Sequence, residues 1–163
     1  MSEKGRQSVA ESTQAVSGVL VGRNDHALDP KKRLTIPSGW RLVMGNPEYV
    51  YAMPDAKERC VNILPKAEMD VMLERLRQKA LFDPALAKVQ QVIGANSELL
   101  MLDSQGRIRI CDKLLQFANL TTTVAMVGSV RMIKLWDPSA LAPQDSVDQN
   151  ELAAALAAVD WGG

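Results

Sequence analysis

The sequence is poor in the residues that carry most protein chemistry. Among 163 residues it has one histidine, His26, and two cysteines, Cys60 and Cys111, with no CxxC pair. That leaves too few ligands for a zinc site and argues against a disulfide framework, so both thiols are expected to be reduced and buried. There is no GxSxG, HExxH, P-loop or glycine-rich dinucleotide fingerprint, and neither an enzyme activity nor a cofactor is expected. No apolar run approaches the ~20 residues of a membrane span, and Met1-Ser2-Glu3-Lys4-Gly5 begins no signal peptide. The expectation is a soluble cytoplasmic protein with no membrane partner and no small-molecule substrate. Net charge is also lacking, with 19 Lys and Arg against 19 Asp and Glu. A monomer that grips nucleic acid by overall basicity is thereby excluded, and any such role must concentrate cations on one face.

What the chain does have is an internal echo. Leu28-Asp29-Pro30-Lys31-Lys32-Arg33-Leu34-Thr35-Ile36 is answered 74 residues later by Leu102-Asp103-Ser104-Gln105-Gly106-Arg107-Ile108-Arg109-Ile110. Both read apolar, Asp, three turn-type residues, Arg, apolar, polar, Ile, and similar elements follow each copy, which marks a repeat. Asp is a strong first turn residue because its carboxylate accepts from backbone N–H groups two or more residues on, and Pro30 presets φ. Gly106 takes φ > 0 freely. Lys32 holds the matching place in the first copy, so that turn either keeps φ negative or carries strain. The arginine four residues after each Asp either reaches back to the carboxylate or points outward to a phosphate or a base edge. The turns also concentrate charge: Lys31, Lys32 and Arg33 face one acid, Asp29, and Arg107 and Arg109 face Asp103.

Taken in order, residues 1–20 read as a flexible tail, rich in Ser and Gln. Repeat one spans 21–67: a strand into the first turn, Leu34 and Ile36 beyond it, a short helix after Pro37, then strands at Tyr49–Ala52 and Cys60–Leu64. Trp40 is expected in the core rather than stacked on a base. Residues 68–94 read as linking helices, the first opened by Pro65 at its first position and the second stopped by Gly94. A stripe of Met69, Met72, Leu73 and Leu76 is assigned to core or subunit packing. Repeat two spans 95–141, ending in a hairpin and a helix opened by Asp137-Pro138. Residues 142–163 form an acidic tail with an Ala/Leu helix candidate over Glu151–Val159.

The paired Asp29–Arg33 and Asp103–Arg107 motifs, together with Leu34-Thr35-Ile36-Pro37, Val92-Ile93-Gly94-Ala95, Val124-Ala125-Met126-Val127-Gly128 and Ile133-Lys134-Leu135-Trp136-Asp137, resemble the MraZ family over residues 21–141. These are bacterial regulators of the division and cell-wall gene cluster, built from two SpoVT/AbrB-type repeats with a DxxxR motif in each. The chain departs from the family pattern in having Lys32 in place of the usual glycine and Cys111 where a proline is frequent. The resemblance implies an α+β fold of two tandem swapped-hairpin β-barrel repeats forming an internal pseudo-dimer, with both DxxxR turns at one end of the barrel. It further implies a ring-like homo-oligomer, associated with the nucleoid, that binds repeated promoter sites on double-stranded DNA. In that reading Arg33 and Arg107 contact guanine edges, Lys31, Lys32 and Arg109 contact phosphate, and Asp29 and Asp103 orient the turns. The alternative is an antitoxin-like or structural oligomerisation module without promoter specificity.

Overall fold

The computed structural model describes residues 18–162. Most of the tail expected over 1–20 lies outside them. Its last residue does not fit that reading: Leu20 is buried, and its backbone exchanges hydrogen bonds of 2.8 and 2.9 Å with Val130. An apolar side chain three residues before the edge strand is better covered than left in water.

Among the described residues, eight strands and five α-helices make an α+β fold. The order is β1 (Arg23–Ala27), β2 (Arg33–Thr35), α1 (Ser38–Val43), β3 (Tyr49–Pro54), β4 (Val61–Leu64), α2 (Lys66–Ala80) and α3 (Ala85–Asn96). There follow β5 (Glu98–Met101), β6 (Arg107–Arg109), α4 (Asp112–Phe117), β7 (Thr123–Gly128), β8 (Ile133–Trp136), a 3₁₀ turn (Pro138–Ala140) and α5 (Gln149–Ala157). Six strands form one antiparallel sheet ordered β1-β7-β8-β4-β3-β5, and β2 pairs with β6 in a separate two-stranded ribbon.

The pairing runs across the two halves of the chain. β1 pairs with β7, β5 with β3, β4 with β8 and β2 with β6. Each half thus covers strand edges that the other would leave open, which a unit of about 45 residues with little core of its own requires. Leu34 and Ile108 face each other in the ribbon at 0 % exposure and, with Ile36, Val50, Ile63, Ile110, Met126 and Leu135, form one continuous core. Trp40 belongs to it, donating its indole N–H to the Val21 carbonyl at 2.8 Å.

Three element ends differ from the sequence expectation. Pro65 precedes α2 rather than opening it. α3 runs through Gly94 to Asn96, where the Asn96 amide and the Ser97 hydroxyl donate to the Val92 and Ile93 carbonyls and take up the helix's last acceptors. The segment after Asp137-Pro138 makes only a 3₁₀ turn capped by Asp137, because Pro143 disfavours helical backbone at Ala142.

Candidate nucleic-acid interface

Both Asp-to-Arg turns fold by the same set of bonds. In the first, the Asp29 carbonyl accepts from Lys32 N at 2.9 Å, Asp29 Oδ1 accepts from Lys31 N and Arg33 N at 2.9 and 2.7 Å, and Asp29 N closes the loop onto the Arg33 carbonyl. In the second, the Asp103 carbonyl accepts from Gly106 N at 2.9 Å, and Asp103 Oδ1 accepts from Gln105 N and Arg107 N, both at 2.9 Å. The other carboxylate oxygen takes the arginine: Arg33 Nε donates to Asp29 Oδ2 and Arg107 Nε to Asp103 Oδ2, each at 2.7 Å.

These bonds fix the charge state of the acids. Backbone and side-chain bonds from Arg107 hold the Asp103 carboxyl below its ordinary value. At Asp29 partial desolvation pulls the other way, and the bonds from Arg33 and Lys31 outweigh it. Each carboxylate is therefore anionic and committed, with one oxygen on the turn and one on Nε. Among the described residues the Nη atoms of Arg33 and Arg107 donate no hydrogen bond, so the forked end of each guanidinium is free while its Nε edge is anchored. The two side chains are about 30 % and 26 % exposed.

The register of the ribbon decides where they point. Arg33 stands opposite Arg109 and Thr35 opposite Arg107, and residues opposed across a strand pair share a face. Since Leu34 and Ile108 take the inner face, Arg33, Arg107 and Arg109 all lie on the outer one, within a patch about two residues long. The turns themselves do not lie side by side along the ribbon. Antiparallel pairing sets the first beside Ile110 and the second beside Ile36, joined by Ile110 N to the Lys32 carbonyl at 3.0 Å and Ile36 N to the Gly106 carbonyl at 2.9 Å. They flank the ribbon at its two ends, and what converges is the arginines.

The two lysines differ. Lys31 is exposed at the tip of its turn, whereas Lys32 is half-buried and its ammonium pairs with Asp112 at the start of α4, which lowers the Asp112 carboxyl. Lys32 carries φ 63° and Gly106 φ 76°, so the two turns share one backbone shape, and the lysine adopts it at a cost. One cation was missed from sequence. Arg41 on α1 donates Nε to the Ile36 carbonyl at 3.1 Å and lays its guanidinium on Gly106, where a Cβ would stand 2.5 Å from Arg41 Cζ. Its place in a helix read by its apolar neighbours Trp40 and Met44 gave no signal of this.

The ribbon thus carries three arginines on one outward face, two of them anchored through Nε. Residues 94–156 match the family model "MraZ protein, putative antitoxin-like". The chain is 33 % identical to the transcriptional regulator MraZ of Mannheimia succiniciproducens over 67 % of this chain and 73 % of that one. It is 31 % identical to that of Pseudomonas savastanoi pv. phaseolicola over 73 % and 80 %, and 25 % identical to that of Clostridium acetobutylicum over 83 % and 94 %. The class is therefore that of transcriptional regulators. Within it, the chain belongs to the MraZ family.

Proposed function

We propose that the chain is a sequence-specific DNA-binding regulator, acting as a repressor of the division and cell-wall gene cluster through repeated sites in its promoter. The observation that carries this is the common outer face of Arg33, Arg107 and Arg109, with the Nη forks of the two turn arginines unspent. A two-stranded ribbon fits the major groove, and a free Nη fork matches guanine O6 and N7, a contact worth about 1–3 kcal/mol in discrimination. Arg109 and Lys31, and Lys32 once Asp112 releases it, serve as phosphate contacts. Asp29 and Asp103 serve as the struts that aim the arginines. Strand exchange between the halves supports the internal pseudo-dimer of swapped hairpins, with the units at 21–67 and 95–141 linked by 68–94. Because a few cations grip DNA weakly, the reading includes a ring-like homo-oligomer that presents many ribbons at once on the nucleoid.

The test is fluorescence anisotropy on promoter DNA bearing the repeats and on a scrambled duplex. R33A and R107A lose the preference for the repeats by tenfold or more while the oligomer keeps its size, and K31A weakens both probes alike with a shallower salt dependence. Equal loss on both probes for the arginine variants reduces them to phosphate contacts. The words "antitoxin-like" in the matching family's description favour a second reading, a protein-binding or structural module without promoter specificity. A wild-type chain that prefers neither probe selects that reading.

A further inference from the structure

Two apolar surfaces of this chain lie without a partner among the described residues, and their charges are opposite. The first is the C-terminal arm. α5 has nine residues, every one exposed, and an isolated helix below ~12–15 residues is marginal in water. Leu152 and Leu156 fall on one face at i and i+4. Trp161 folds back to continue that face, its indole N–H on the Leu156 carbonyl at 3.2 Å and the residue 73 % exposed. From residue 142 onward the chain has four acids, Asp145, Asp148, Glu151 and Asp160, and no Lys or Arg.

The second surface is the crevice between α2 and α3, a groove of about 400 Å³ with Val71, Met72 and Leu76 on one wall and Leu86 and Ile93 on the other. Arg75 and Lys79 stand on its rim one helical turn apart, and neither makes an ion pair among the described residues. The acid at the crevice's end, Glu68, is already taken by Arg131 at 3.0 Å. An apolar groove with unspent cations on its rim calls for an amphipathic helix whose polar side is acidic.

We propose that α5 of one copy lies in the α2/α3 crevice of a second copy, Leu152, Leu156 and Trp161 filling the groove and the arm's acids meeting Arg75 and Lys79. A second copy is the occupant because on its own chain the arm stays off the crevice: it leaves from β1, where Arg23 Nη1 donates to the Ala142 carbonyl at 2.8 Å and Gln144 reaches the Arg23 carbonyl, whereas α2 packs on β3 and β4, and every residue of α5 is exposed. An arm-to-crevice contact is heterologous, so repeated copies close into a ring or extend head to tail.

This contact names a surface for the self-association in the proposed function, and its test needs no DNA. Sedimentation velocity on the full chain compares the wild type with L152D/L156D in the arm and R75E/K79E on the crevice. Both variants are expected to fall to smaller species while keeping the wild-type circular dichroism. D145K/E151K added to R75E/K79E is expected to restore the larger species. An equimolar mixture of L152D/L156D with R75E/K79E regains a dimer through the one intact arm and one intact crevice. A wild type that is monomeric at every concentration overturns the self-association reading itself. A wild-type oligomer that all three variants leave unchanged overturns only this contact, as does a mixture that regains nothing.

Discussion

Arg33 and Arg109 stand directly across the β2–β6 ribbon from each other, two like charges on one outer face. The matching pair at the ribbon's other end is Arg107 with Thr35, so the two halves are alike in backbone and unequal in charge. Like charges opposed across a pair of strands destabilise by roughly 0.2–1 kcal/mol, and a bound polyanion turns the same repulsion into attraction. R109T makes the two ends equivalent. It is expected to raise thermal stability slightly, to weaken binding to repeat-bearing and scrambled DNA alike, and to reduce the slope of log K against log salt by about one. Stability and affinity moving in the same direction would show that Arg109 is held by some contact other than the one described.

The third residue after Asp gives a second pair of opposite outcomes. Lys32 and Gly106 share the left-handed turn conformation, which favours glycine and costs an ordinary side chain about 1 kcal/mol. K32G is therefore expected to raise the unfolding temperature by about 2–4 °C, the shift that 1 kcal/mol gives a domain of this size. G106A is expected to lower it by more, since it adds both the strained φ and a Cβ pressed against the Arg41 guanidinium. Differential scanning calorimetry on the two variants checks both signs, and D112N, which loosens Lys32 without touching the backbone, separates the ion pair from the turn.

The turns were legible because their chemistry is local. Aspartate followed four residues later by arginine states the hydrogen-bond pattern of the loop, and the alternation of Leu34, Thr35 and Ile36 states which side faces the core. The partner of each strand was not legible in that way. Three alternating residues say which face is buried and nothing about which strand lies alongside, so the position of the turns at the two ends of the ribbon, rather than together, came only with the register. Arg41 escaped for a related reason: its partner, Gly106, is 65 residues away and offers only the space of a missing side chain. The Gly94 stop failed because side chains of Asn96 and Ser97 supply the cap that glycine was expected to provide.

The two cysteines differ in a way a thiol reagent can read. Cys60 is fully buried and burial pushes its thiol up to about 11, whereas Cys111 is half-buried at the start of α4. A disulfide reagent such as Ellman's is attacked by protein thiolate at pH 8, which expels the chromophoric thiolate, so the folded protein is expected to release one equivalent of chromophore, from Cys111, with the second appearing only in denaturant. C111S should abolish the native reaction. Two equivalents released at the same rate from the folded chain would place Cys60 in contact with solvent.

The last prediction concerns a link far from the ribbon. Lys134 on β8 donates to Asp55 at 2.9 Å and to Asn62 at 3.0 Å, and Asp55 also accepts from Asn62, Lys57 N and Glu58 N. The pair is shielded, with side chains about 20 % and 16 % exposed, and it ties the β3–β4 loop of one half to the last hairpin of the other. The Lys134 bond, opposed by desolvation and helped by Asn62 and the two backbone N–H groups, holds the Asp55 carboxyl far below its ordinary value of 3.8. A carboxylate with a depressed folded value adds stability that is complete above the unfolded value and is lost as the pH falls through the folded one. D55N is therefore expected to destabilise at pH 7 by about 2 kcal/mol, the scale of hydrogen bonds to a charged group. The gap to wild type should hold down to about pH 5 and narrow steadily below about pH 4. Urea unfolding of both proteins across that range measures it, and a gap that stays constant to pH 2.5 would mean that Asp55 stabilises by shape and not by charge.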